Sequence, residues 1–96
     1  MTVNNQFFDD LRISDISVIS GTRPSGRMTD NSCYGRRNNG ILYVWKGEAT
    51  FYDDWEETVV VSDGELVFIP KYKKYRMKYT AESTTFVLLN FDLYDK

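Results

Sequence analysis

The chain has 96 residues, 12 Lys plus Arg against 14 Asp plus Glu, no histidine and one cysteine. That length holds one domain with a single modest core. The net charge of -2 gives no general attraction to nucleic acid or anionic lipid, the lone Cys33 cannot close an internal disulfide, and no apolar run reaches the roughly 18 residues of a membrane span. Without a signal peptide pattern, the expected compartment is the reducing cytoplasm, with no membrane partner. Seven Tyr, six Phe and two Trp favour pleated, half-buried surfaces, so the expected class is all-β.

In chain order, residues 1–10 are polar apart from Phe7 and Phe8 and read as a flexible N-terminal arm; 11–96 form the folded unit. Leu11 to Ser20 alternates Ile13, Ile16 and Val18 with serines, breaks register near Asp15, and predicts one or two short strands. Gly21 to Asn31 is rich in turn formers and predicts a long connection; Ser32 to Tyr34 predicts a short strand. Six closely spaced strands follow, at Ile41–Lys46, Glu48–Tyr52, Thr58–Val61, Glu65–Ile69, Tyr75–Tyr79 and Thr84–Phe91, each bounded by Gly, Pro, Asp or Ser. Asp53 to Glu57 predicts an acidic hairpin tip, and Ser62-Asp63-Gly64 a tight turn whose glycine takes positive φ. No long amphipathic helix is expected. The close of the chain a few residues beyond a core strand suggests a piece of something longer.

Two Gly-punctuated β runs, Gly40-Ile-Leu-Tyr-Val-Trp-Lys-Gly47 and Gly64-Glu-Leu-Val-Phe-Ile-Pro70, resemble the paired signature of the cupin barrel. In the second, Tyr72 stands where Gly is usual and Tyr75 where the metal-binding His would stand. In the first, with Gly47 as the closing glycine, the Glu position falls on Gly40 and the His region on Cys33 to Asn38. The resemblance therefore implies a small antiparallel cupin-like (jelly-roll) β-barrel with neither metal nor cofactor.

Retained glycines and proline with lost imidazoles make the chain similar to the N-terminal sensor domain of AraC-type transcriptional regulators. Arg36-Arg37-Asn38-Asn39-Gly40 before the first run, Tyr75 in place of His, and Asn90-Phe91-Asp-Leu-Tyr94 at the close carry that likeness. It implies a small effector, sugar-like, held inside the barrel, a homodimer, and contact with DNA only through helix-turn-helix units that this chain does not carry. On a strand, alternate side chains share a face. The His position then puts Tyr75, Met77 and Tyr79 inward and Arg76 and Lys78 outward; the Glu position puts Leu42 and Val44 inward and Tyr43 and Trp45 outward; the likeness puts Phe86, Leu88 and Asn90 inward. The candidate ligand-binding set is Arg36, Arg37, Leu42, Val44, Tyr75, Met77, Phe86 and Leu88, the arginines supplying planar donors to hydroxyl or carboxylate oxygens.

Other chemistries find less support. Lys71 to Tyr79 interleaves five cations with three tyrosines, as a single-strand nucleic-acid groove would, but the acidic tip offsets it. Hydrolytic triads lack their histidine, Cys33 has no imidazole to activate it, and no phosphate loop is present, so the expectation is that the chain is not an enzyme. A stand-alone carbohydrate-binding β module, reading saccharides through Tyr and Trp, is the alternative.

Overall fold

A computed structural model describes residues 11–95, so the expected arm at 1–10 lies outside the described residues. Eight strands form: β1 Leu11–Pro24, β2 Met28–Asp30, β3 Asn39–Lys46, β4 Glu48–Asp53, β5 Glu56–Ser62, β6 Leu66–Ile69, β7 Arg76–Tyr79 and β8 Ser83–Asp95. They make two four-stranded antiparallel sheets, ordered β1-β8-β3-β6 and β2-β7-β4-β5. The class is all-β, as expected, and the six strands predicted from Ile41 onward stand within a few residues of β3 to β8.

Glycine and aspartate set the tight turns. Gly64 adopts φ 76° and its N–H donates to the Val44 carbonyl at 2.7 Å, while Asp63 accepts from the Gly47 N–H at 2.6 Å. At the acidic tip both central residues are left-handed, Asp54 at φ 51° and Trp55 at φ 68°. That is the mirror-image turn whose twist matches a hairpin. Gly47 has φ 113°, and a Cβ there would stand 2.6 Å from the Ser83 carbonyl oxygen and 2.7 Å from Thr84 Cα. Glycine is required at that crossing because the obstacles are backbone.

Residues 11–40 depart from expectation. Instead of one or two short strands, Leu11–Pro24 is one 14-residue strand paired along β8, with a bulge between Ser14 and Ser17 where Asp15 takes φ 53°. Instead of a long connection, Gly21 to Pro24 continues that strand and Met28–Asp30 pairs with β7. Turn-forming composition is overridden here by long-range pairing, and β1 as an edge strand tolerates Pro24. The expected strand at Ser32–Tyr34 is a turn, because Asp30 Oδ1 accepts from both the Ser32 N–H at 2.9 Å and its hydroxyl at 2.5 Å. A local side-chain bond of this kind competes with a ladder.

The core lies between the sheets. Leu42, Val44, Phe86 and Ile69 come from one, and Ala49, Phe51, Val61, Tyr75, Met77 and Tyr79 from the other. The inward parity read from the motif positions holds for all three strands, and Trp45 is exposed. Phe91, on the outward set of β8, is nonetheless buried, its ring centroid 6.4 Å from that of Phe68.

Candidate functional site

Between the sheets remains a cavity of about 220 Å³, lined by Ile19, Leu42, Ile69, Met77, Phe86 and Leu88 on its apolar walls and by Arg23, Arg27, Arg36, Thr29, Tyr75 and Tyr79 as its polar groups, with Met28 completing it. At roughly 30 Å³ per water this is room for about seven waters, so the barrel is not wholly filled by its own side chains.

Arg36 organises the site. It is 9% exposed, anchored because its N–H donates to the Lys73 carbonyl and its carbonyl accepts from the Tyr72 N–H, which turns the side chain inward. Its Nη1 donates to Tyr75 Oη at 3.2 Å, its Nε to the Asn38 carbonyl at 3.1 Å, and its Nη2 to Asn38 Oδ1 at 3.0 Å and to Asn90 Oδ1. Gly40 makes the space, for a Cβ there would lie 2.8 Å from Nη2 and 2.9 Å from Cζ of Arg36. The position where the cupin signature has Glu is thus bare, and a guanidinium lies over it, against the tyrosine that stands in the His position.

A metal ion does not fit this donor set. Tyr75, Asn38 and Asn90 supply neutral oxygens, and a permanent cation already sits among them, so a divalent ion would meet repulsion without a carboxylate or imidazole to offset it. Among the described residues no three His, Cys, Asp or Glu side chains are grouped as metal ligands.

Apart from Tyr79 on β7, the rest of the polar lining comes from the segment read as a connection. Arg23 lies over the Phe86 ring, 5.3 Å from its centroid. Burial, the larger effect, raises the Tyr79 phenol above its ordinary range, and the charges of Arg23 and Arg27 pull the other way. Six of the eight expected residues, Arg36, Leu42, Tyr75, Met77, Phe86 and Leu88, line the cavity. Two do not. Val44 is fully buried in the packed core, and Arg37 borders a separate outer groove with Asp30, Asn31, Cys33, Tyr34 and Gly35, since its neighbour takes the inward direction. Sequence reasoning missed Arg23 and Arg27. Parity with Ile19 would have found Arg23 had β1 been extended past Gly21.

The basic run from Lys71 to Tyr79 does not present an aromatic ladder. Tyr75 and Tyr79 face the core, leaving Tyr72 as the one exposed ring of the three, while Lys71 pairs with Asp92 at 3.7 Å and Arg76 with Asp30 at 3.5 Å.

No protein-family model matches the sequence, and no curated protein matches it. Solved structures do. An RmlC-like cupin family protein with a double-stranded β-helix fold from Methanocaldococcus jannaschii is similar at TM-score 0.66 and 19% identity, over 78% of this chain and 68% of that one. An HTH_3 family transcriptional regulator from Vibrio cholerae is similar at TM-score 0.62 and 12% identity, over 78% of this chain and 42% of that one. The hydroxypropylphosphonic acid epoxidase from S. wedmorenis is similar at TM-score 0.61 and 19% identity, over 79% of this chain and 43% of that one. The chain is therefore a cupin-like domain. It spans less than half the length of the regulator and of the epoxidase.

The epoxidase corrects one expectation. The absence of histidine and of known nucleophile motifs suggested a chain that is not an enzyme, yet the same barrel serves an enzyme, described also in an Fe(II) form. Fold and missing motifs do not decide against catalysis, because chemistry resides in sites placed on a fold. As to location, no helix among the described residues is long and apolar enough to cross a membrane.

Proposed function

We propose that this cupin-like domain is the effector-binding part of an AraC-type transcriptional regulator, taking a small polar metabolite into the cavity and passing the signal to a DNA-binding domain outside this chain. The observation that carries the reading is the buried Arg36 guanidinium, held against Tyr75 and Asn90 on the wall of a half-open cavity between the sheets. A fixed donor of that kind in an apolar pocket orients a polar ligand. The similarity to a regulator of the HTH_3 family adds support at the level of fold.

Self-association belongs to the same proposal. The outer face of the first sheet carries the row Val18, Leu89, Ile41, Phe68 and the row Ser20, Val87, Tyr43, Leu66, with Trp45 beyond them. Neither row holds a charge, and Val18, Leu66 and Phe68 are 62%, 64% and 48% exposed. Contiguous apolar surface of this kind marks a contact, and the small net charge of -2 does not oppose a second copy.

A thermal-shift screen against sugars, uronic acids and other small metabolites tests the effector site. A hit whose stabilisation disappears in Arg36→Ala and Tyr75→Ala and persists in Arg37→Ala supports the assignment; one indifferent to all three substitutions removes it.

A further inference from the structure

Deepening the effector-site reading, on which it rests, we infer that the cavity selects a small organic carboxylate with an apolar body over a neutral sugar. Among the described residues three arginines line it and no aspartate or glutamate does. Among the described residues the ion pairs are Lys71 with Asp92 and Arg76 with Asp30, so none of the three cavity arginines has a carboxylate partner. Arg36 is buried, and a buried cation among neutral groups carries a desolvation cost that an anion relieves; half-buried Arg23 and exposed Arg27 add positive charge at the mouth.

Hydrogen-bond bookkeeping points the same way. Arg36 directs four bonds to Asn38, Tyr75 and Asn90, which leaves one of its five N–H groups for the cavity. Tyr75 Oη accepts from Arg36, so its own proton is free to be donated. Arg23, Arg27 and Tyr79 add further donors, whereas among the described residues the strong side-chain acceptors on the walls are the hydroxyl oxygens of Thr29, Tyr75 and Tyr79. A sugar hydroxyl must both donate and accept; a carboxylate only accepts, which suits a lining rich in donors. The remaining wall, Ile19, Leu42, Ile69, Met77, Phe86 and Leu88, offers nothing polar to the body of the ligand. The volume of about 220 Å³ suits a body of one ring or a short chain. Phosphate, small and apolar nowhere, leaves this wall unused.

Calorimetric titration separates the alternatives, using benzoate against benzamide, hexanoate against hexanamide, inorganic phosphate, and a neutral pentose. Each acid should bind at least about tenfold more tightly than its amide, the worth of one charge-assisted hydrogen bond. Arg27→Met and Arg23→Met sit outside the buried bond cluster and should fold as the parent does by circular dichroism, weakening the acids several-fold while leaving the amides unchanged. Acid and amide binding equally, or phosphate or the pentose binding more tightly than the acids, overturns the carboxylate inference and leaves the effector site standing. If no compound of any class binds, the effector site fails and the inference with it.

Discussion

Arg36 and Gly40 act as one device, since the guanidinium rests where a side chain at position 40 would be. Gly40→Ala brings a Cβ to within 2.8 Å of the Arg36 guanidinium, which can yield only by giving up part of its bonding to Asn38, Tyr75 and Asn90, so stability should fall by about 1 kcal/mol, the net worth of a hydrogen bond, while ligand-induced stabilisation falls. Gly47→Ala meets backbone at 2.6 Å with φ at 113°, and the chain cannot yield there. It should cost about 2 kcal/mol or more, and urea unfolding of the two variants side by side checks the contrast. Tyr79 predicts a pH response. Its phenol is raised in the fold, chiefly by burial, so the folded state keeps a proton that the unfolded chain releases from about pH 10 upward. Stability is full below that value and falls as pH climbs from it toward the folded pKa. Tyr79→Phe should flatten that alkaline decline in urea titrations between neutral and strongly alkaline pH.

At the scale of elements, the β4–β5 hairpin shows how a turn is held in a conformation its residues disfavour. Trp55, left-handed at φ 68°, stacks beneath the Arg76 guanidinium 4.2 Å from its ring centroid, and its ring lies 6.5 Å from that of Tyr52. Arg76 in turn reaches Asp30 on the far side, at the end of β2. Trp55→Ala keeps the unfavourable backbone and loses the stacking, so it should destabilise by about 1 kcal/mol, read from a lower urea midpoint with unchanged slope. Strand legibility also divides here. β3 to β8 announce themselves by alternating apolar residues between Gly, Asp and Pro, while β1 beyond Ser20 consists of Gly, Thr, Arg and Pro and becomes a strand only because β8 offers it a partner.

For the whole molecule, the two sheets present unlike outer faces, and the apolar one on the first sheet sets how copies meet. Phe68→Lys places a charge at the β6 end of the row that runs from Val18 to Phe68, on a half-exposed side chain. It should shift the chain to a smaller species in light scattering, at a melting temperature within a few degrees of the parent's. A parent that is already monomeric at high concentration sinks the homodimer.

Residue types and their alternation determined the all-β class, six of the eight strands, and the Gly64 and Gly47 bends, because each is a local property of a pleated chain; alternation sorted the side chains into two faces, and only the cupin resemblance said which face, with Leu42, Tyr75, Met77, Phe86 and Leu88, points inward. Tertiary structure decided what stands beside what. Most of the turn-rich stretch from Gly21 to Asp30 became strand, with a short turn at Ser25 to Arg27 between β1 and β2, bringing Arg23 and Arg27 to the cavity, and of two adjacent arginines only Arg36 turned inward. Those outcomes depend on pairing between segments far apart in the chain, such as Arg23 with Thr84 and Asp30 with Arg76, and on the bare backbone at Gly40, neither of which leaves a mark in the local pattern.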